Sequence, residues 1–259
     1  MELSVPGFSA SGIASGIKDT NKKDLGLISS DEVATAVGVF TTNKIKAAPV
    51  LITSEKLKQK SCQAIIVNSG NANACTGTTG IRNANDICQS VADKLGISEK
   101  LVMVSSTGII GVNLPVDKIQ KAIHHLVKSL SPQGLNDFAE AILTTDTFAK
   151  IVVEKESIEG KEVTLCGIIK GSGMVMPDMA TLLAFVLTDM SIQSDLLDEL
   201  LKEAVNNSLN RITIDGDMST NDMVIMMANG YADHAPLNKD STDFNKFKNV
   251  AEKRELNKQ

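Results

Sequence analysis

Tryptophan is missing from the 259 residues, tyrosine occurs once, and aromatic residues make up 3% of the chain. Nucleic-acid binding draws on stacking rings and basic patches, so this scarcity, with a formal net charge of −5, argues against a nucleic-acid partner. Long apolar runs are also lacking. The stretch Leu182 to Leu187 falls far short of the roughly 20 residues a membrane-spanning helix needs. The opening MELSVPGFSASG has neither the basic n-region nor the apolar h-region of a signal peptide, so the expected location is the cytoplasm.

Cysteine is sparse. Cys62, Cys75, Cys88 and Cys166 form no CxxC pair, which argues against a zinc site, and the expectation is four buried thiols with no bound metal. Histidine is sparser still. His124 and His125 read as solvated residues of a surface helix and His234 lies in a polar stretch. A Ser–His–Asp machine needs an imidazole oriented by a carboxylate beside a hydroxyl, so it finds little support here. The glycine-rich GSGMVM at Gly171 to Met176 lacks the third glycine of GxGxxG, and no GxxxxGK[ST] occurs, so no motif points to a nucleotide.

What is present is an ordinary globular balance, 42% apolar and 22% charged, enough for one sizeable core or two small ones. Val33 to Phe40, Ala64 to Val67 and Leu101 to Val104 read as buried strands. The second ends in the turn-rich NSGNANACTG and the third in SSTGIIG. Ile81, Ala84, Ile87, Cys88, Val91, Ala92 and Leu95 share one helical face, and so do Ile119, Ile123, Leu126, Val127 and Leu130 behind Pro115. Ile151 to Glu154 and Val163 to Ile169 predict a hairpin around IEGK. Thr181 to Leu187 reads as a central buried strand, Leu196 to Leu209 as a helix, and DGDMSTND as a polar loop. Strands and helices mix without a regular βαβ repeat, which favours a layered α/β sandwich over a doubly wound Rossmann fold.

The chemistry then turns on hydroxyls. Without histidine, a threonine can use its own α-amine as base, since that group has a reference pKa of about 7.7–8.0. Thr181 follows a glycine turn and Pro177 in KGSGMVMPDMATLLAF, but it becomes an N-terminus only if the chain severs the Ala180–Thr181 bond. Attack of the Thr181 hydroxyl on the preceding carbonyl, an N-to-O acyl shift and hydrolysis of the ester would do so. On residue type alone Thr181 reads equally as a strand residue or cap, the STG of Ser106 to Gly108 as a turn, Lys170 as a solvated loop lysine, and Thr144 as a helix stop.

KGSGMVMPDMATLLAF closely resembles the self-cleavage motif of the ornithine acetyltransferase family, also called glutamate N-acetyltransferase, of arginine biosynthesis. GFSASGIASGIK, GVFTTNKIKAAPV, NSGNANACTG, SSTGIIGVNLP, AILTTDT and ITIDGDMSTND resemble further family signatures, in family order, from about residue 7 to residue 231. The resemblance implies the family's own layered α/β sandwich. It implies cleavage into an α chain (residues 1–180) and a β chain (residues 181–259) with Thr181 as nucleophile. It also implies an oxyanion hole from Thr107 and Gly108, and substrate contacts at Thr144, Lys170 and Thr181. The implied reaction carries acetyl from N-acetylornithine to glutamate through an acetyl-threonine, with acetyl-CoA a donor in some members and no bound metal or cofactor. An α2β2 assembly is implied as well. Asp215, Asp217 and Asn221 are expected to order their loop. Family chains are longer, and their acidic, asparagine and serine or threonine contacts near the C-terminus have no counterpart up to Gln259. An amidohydrolase with the same nucleophile, and an uncut remnant serving as an assembly subunit, are the competing readings.

Overall fold

The computed structural model describes residues 3–18, 21–173, 182–212, 216–239, 241 and 243. Its elements in chain order are β1 (Phe8–Ile13), β2 (Leu25–Phe40), α1 (Ala48–Lys56), β3 (Ser61–Asn71), α2 (Gly77–Leu95), β4 (Val102–Ile109), α3 (Val116–Lys128), α4 (Leu135–Ala141), β5 (Lys150–Ile158), β6 (Lys161–Lys170), β7 (Leu183–Thr188), α5 (Ser194–Asn207) and β8 (Met223–Ala228). The strands hydrogen-bond in the order β4-β3-β2-β8-β7-β6-β5, with β1 also on β2.

β2 joins two halves. Its first part pairs with β1 and β3, its second with β8, and the β3 register shifts between Ser29 and Ala34. The shift coincides with the exposed Asp31, Glu32 and Val33. Side chains then sort by strand period. On β7 and β8, Leu183, Phe185, Leu187, Met223, Ile225 and Met227 face a shared inner core together with Ile28, Ile65, Val67 and Met103 from the other half. Their alternates Ala184, Val186, Val224 and Met226 pack under α5, while Leu25, Leu27, Ala64, Ile66, Val102 and Val104 pack under α2 and α3. Helices therefore flank a double β layer, and strands buried on both faces need the continuous apolar runs they carry. Only β3–β4 and β7–β8 among the named pairs are parallel, which excludes a doubly wound arrangement.

α4 closes one side of the inner core through Phe138, whose ring meets Phe185 edge-on at a centroid distance of 5.4 Å. It lies so close to β1 that a Cβ on Gly12 would sit 1.9 Å from the Asp137 carbonyl oxygen. The β5–β6 hairpin turns at Glu159 and Gly160, both at positive φ, in the two-residue loop that the twist of paired strands favours. Cys62, Cys88 and Cys166 are buried, and burial pushes the Cys88 thiol up to about 11 and that of Cys166 to about 12. Cys75 departs from the expectation. It lies exposed at positive φ in the turn before α2. No helix among the described residues is long and apolar enough to cross a membrane.

Candidate active site

Because β3 and β4 run parallel, their C-terminal ends come out on one side, with Ser69 opposite Thr107 and Gly70 opposite Gly108. Gly108 has φ +135°, and a Cβ there would lie 2.3 Å from the Gly70 carbonyl carbon, so only glycine fits. Thr107 is 7% exposed, and its hydroxyl has no hydrogen-bond partner among the described residues. STG is thus more than a turn: it holds a hydroxyl with no partner among the described residues next to an N–H on a backbone path other residues cannot follow.

A second group of buried polar residues locks this end. The Ser106 hydroxyl donates to Asn68 Oδ1 at 2.6 Å, and Asn68 Nδ2 donates to the Asn71 carbonyl at 2.8 Å. Asn221 Nδ2 reaches both the Ala72 carbonyl (2.6 Å) and the Ser106 carbonyl (2.8 Å). The same segment is tied to GVFTTNK, with Thr41 N–H donating to the Asp222 carbonyl and the Thr41 hydroxyl to the Ser219 carbonyl, each at 2.9 Å. Asn221 therefore orders its loop, as expected; Asp217 is exposed, and Asp215 lies outside the described residues.

Lys170 ends β6 and is 3% exposed, so it is no solvated loop lysine. Its Nζ donates to the Thr144 hydroxyl at 3.0 Å, joining two expected substrate contacts. Burial pushes the Lys170 ammonium down, opposed by Asp146 and Asp222 and reinforced by Lys150. Asp146 accepts from Lys150 Nζ (2.8 Å) and from Gly171 N–H (2.7 Å). Burial works against its carboxylate, yet those two donors hold it below the ordinary range.

Lys18 adds a second cation. Asp24, fully buried, receives the N–H groups of Ser15, Ile17 and Lys18 at 2.6, 2.7 and 3.0 Å, which fixes the loop. Lys18 Nζ then donates to the Leu143 carbonyl at 2.8 Å, one residue from Thr144. Burial pushes this ammonium down as well, and Lys170 is among the like charges acting on it.

Asp222 joins the two groups. It follows Asn221, is 1% exposed, and is acted on by Lys170. Burial pushes its carboxyl up to about 8, against hydrogen bonds from the Ser219 hydroxyl and the Leu182 and Ser219 N–H groups. Leu182 also accepts from Met223 N–H at 3.3 Å. Thr107 and Gly108 on one side, and Lys170 and Thr144 on the other, are thus connected through residues 219–222, with Leu182 against them. Ala180 and Thr181, the expected cleavage site, lie outside the described residues. Asp222, Asp146 and Lys18 were not singled out in the sequence; the one available signal was their place inside the quoted motifs. Among the described residues no group of three or more His, Cys, Asp or Glu side chains is placed to hold a metal ion.

A family model described as ArgJ matches residues 9–257, running on past Tyr231, where the motifs stop. The arginine biosynthesis bifunctional protein ArgJ of Caldanaerobacter subterraneus subsp. tengcongensis is 51% identical over 241 residues, 93% of this chain and 60% of that protein. The chain spans about 60% of the length of such curated relatives. The crystal structure of ArgJ from Bacillus halodurans is 43% identical with TM-score 0.64, covering 67% of this chain and 91% of its own. That of ornithine acetyltransferase complexed with ornithine from Mycobacterium tuberculosis is 35% identical with TM-score 0.59, covering 67% and 92%. An aminopeptidase of Ochrobactrum anthropi, described as a variant of the Ntn-hydrolase fold, aligns over 96% of this chain at TM-score 0.59 and 11% identity, a likeness of fold alone.

Proposed function

The chain belongs to the ArgJ family, and from that premise we propose that it carries acetyl from N-acetylornithine to glutamate through an acetyl ester on Thr181. Self-cleavage prepares the nucleophile. The Thr181 hydroxyl adds to the Ala180 carbonyl carbon, the C–N bond breaks to leave an ester and a free amine, and water hydrolyses the ester to release the Ala180 carboxylate. Residues 1–180 then form the α chain and residues 181–259 the β chain. The freed amine takes the Thr181 hydroxyl proton as the threonine attacks N-acetylornithine, and gives it to the leaving ornithine nitrogen. The glutamate amine next attacks the ester, and the proton returns the same way.

Each tetrahedral step puts negative charge on one oxygen, which the uncommitted Thr107 hydroxyl and the Gly108 N–H are suited to receive; loss of one such donor typically costs about 10²–10³-fold in rate. Lys170, with Thr144, takes a substrate carboxylate. Acetyl-CoA serves as an alternative donor to glutamate, no bound cofactor takes part, and the assembly is α2β2 in the cytoplasm. The observation that carries this reading is the hydrogen bond from buried Lys170 to Thr144, with Lys170 acting electrostatically on Asp222, whose neighbour Asn221 binds the Ser106 carbonyl beside Thr107 and against which Leu182, the neighbour of Thr181 in sequence, packs its N–H. Two points support it. The solved Mycobacterium tuberculosis relative is described with ornithine bound, and the curated relatives are named as arginine biosynthesis bifunctional proteins.

The test is acetyl transfer from N-acetylornithine to glutamate by the purified chain, alone and with the C-terminal region of a full-length relative supplied. Ornithine release that requires glutamate and vanishes in Thr181→Ala is expected. Hydrolysis of N-acetylornithine at the same rate with and without glutamate would overturn transfer.

A further inference from the structure

Lys23, Lys56, Lys60 and Lys150 are half-buried, and each has a carboxylate within ion-pair reach: Asp137 and Glu140, Glu99, Asp198 and Asp146 in turn. Lys18, half-buried, and Lys170, buried, have no such partner among the described residues. Taking an ammonium out of water without a counter-charge is costly, so these two exceptions ask for a reason.

The two also meet on consecutive residues. Lys170 Nζ donates to the Thr144 hydroxyl at 3.0 Å, and Lys18 Nζ to the Leu143 carbonyl at 2.8 Å. Asp24, the carboxylate nearest in sequence on this loop, commits its oxygens to the Ser15, Ile17 and Lys18 N–H groups and the Ser15 hydroxyl instead. The Lys18 stem crosses Gly70, which has φ +106°; a Cβ there would lie 3.2 Å from Lys18 Cγ and 3.0 Å from Ile17 Cγ2. Gly70 is also the residue against which Gly108 sits. Lys18 therefore reaches from the β3–β4 end of the site to the residue before Thr144.

A brace between carbonyls does not require a charge. Lys18 Nζ also donates to the Lys23 carbonyl at 2.9 Å, and a neutral amide could serve both acceptors. Lys56 makes the same kind of grip, on the Glu99 and Val102 carbonyls at 3.1 Å each, but it does so with the Glu99 carboxylate beside it. Of three ammonium N–H groups, Lys18 uses two on the Lys23 and Leu143 carbonyls and Lys170 uses one on Thr144. Both keep donors uncommitted among the described residues.

Resting on the acetyl-transfer reading, we propose that Lys18 is a second substrate-binding residue, which shares with Lys170 and Thr144 the α-carboxylate common to N-acetylornithine and glutamate. The ligand then supplies the counter-charge that the fold omits at these two lysines and supplies at the other four. Donor and acceptor both present an α-carboxylate, so one two-lysine subsite holds each in turn. Their unlike side chains, one ending in an ammonium and the other in a carboxylate, are left to other contacts.

The test is calorimetric binding of L-ornithine and of L-ornithinamide, in which a neutral amide replaces the carboxylate, at mildly acidic pH where both ligands carry two ammonium groups. No acetyl donor is present, so nothing turns over, and the C-terminal region of a full-length relative is supplied as in the transfer assay. Wild type should prefer ornithine. Lys18→Met keeps the stem over Gly70 and removes the ammonium; it should weaken ornithine binding by roughly 10- to 100-fold and leave ornithinamide binding unchanged. A residue that only braces the loop would weaken both ligands alike or neither, and either result overturns the proposal. If Lys18→Met does not fold, Lys18→Gln offers the carbonyls a neutral donor and must show the same selective loss; ornithine affinity equal to that of the wild type overturns the proposal there too. Lys170→Met separates the two lysines: preference for ornithine lost in that variant and intact in Lys18→Met overturns the role of Lys18 alone. A wild type that does not distinguish ornithine from ornithinamide would count against the acetyl-transfer reading itself, and the present proposal would fall with it.

Discussion

Thr107 brings a buried hydroxyl with no partner among the described residues to the end of β4, next to the Gly108 backbone. Thr107→Ala removes the hydroxyl and leaves the buried backbone in place. Cleavage and transfer should both slow by about 10²–10³-fold, with the melting temperature nearly unchanged, as single-turnover kinetics and thermal unfolding would show. Asp222 makes a different prediction. Its carboxyl rises from 3.8 to about 8 on folding, so between those values the native state holds a proton that the unfolded chain has lost. Native stability must fall as pH rises through that window. Asp222→Asn removes the slope, and the gain in melting temperature of the variant over the wild type should be larger at about pH 9 than at about pH 4. Residues such as these were only partly legible. Thr107, Gly108, Thr144 and Lys170 stood out through motif resemblance. The burial of Lys170 and of Asp222 depends on strands far apart in sequence.

At the level of elements, legibility followed local pattern. The two long amphipathic helices and the β5–β6 hairpin have strong period signals and appear where the sequence puts them. β2 was read only from Val33 because the polar Ser29–Glu32 segment, which is the register shift in the sheet, breaks the apolar run. β1 sets serine, alanine and glycine between Phe8 and Ile13, and α1 carries Pro49 in its first turn ahead of β-branched residues, so neither announces itself. α4, at seven residues, gains its place from Phe138 and from glycines that let it approach the sheet. β8 is a plain apolar run whose partners lie elsewhere in the chain. The closest fit between elements is at Gly108 and Gly70. Gly108→Ala forces a Cβ against backbone at a φ that alanine rarely adopts, so it should cost at least about 1–3 kcal/mol. It should also separate the β3 and β4 ends, giving a lower denaturant midpoint together with loss of cleavage.

The whole molecule has one feature the parts do not show: two sheet halves on a shared core, each with its own helical layer, bring seven separate motifs to one end. GFSASGIASGIK delivers Lys18; NSGNANACTG and SSTGIIG deliver the parallel strand ends; AILTTDT and KGSG deliver Thr144 and Lys170; GVFTTNK and DGDMSTND brace them. That convergence is why their order along the chain was informative while their chemistry was hidden. The central claim is that this arrangement serves a threonine freed by the chain itself. Intact-mass spectrometry of the purified chain, before and after addition of N-acetylornithine, tests it most directly. The account predicts two fragments dividing at Ala180–Thr181, with the fragment that begins TLLAF gaining one acetyl group when donor is present. A single 27.6 kDa species that never divides and never gains mass would contradict it.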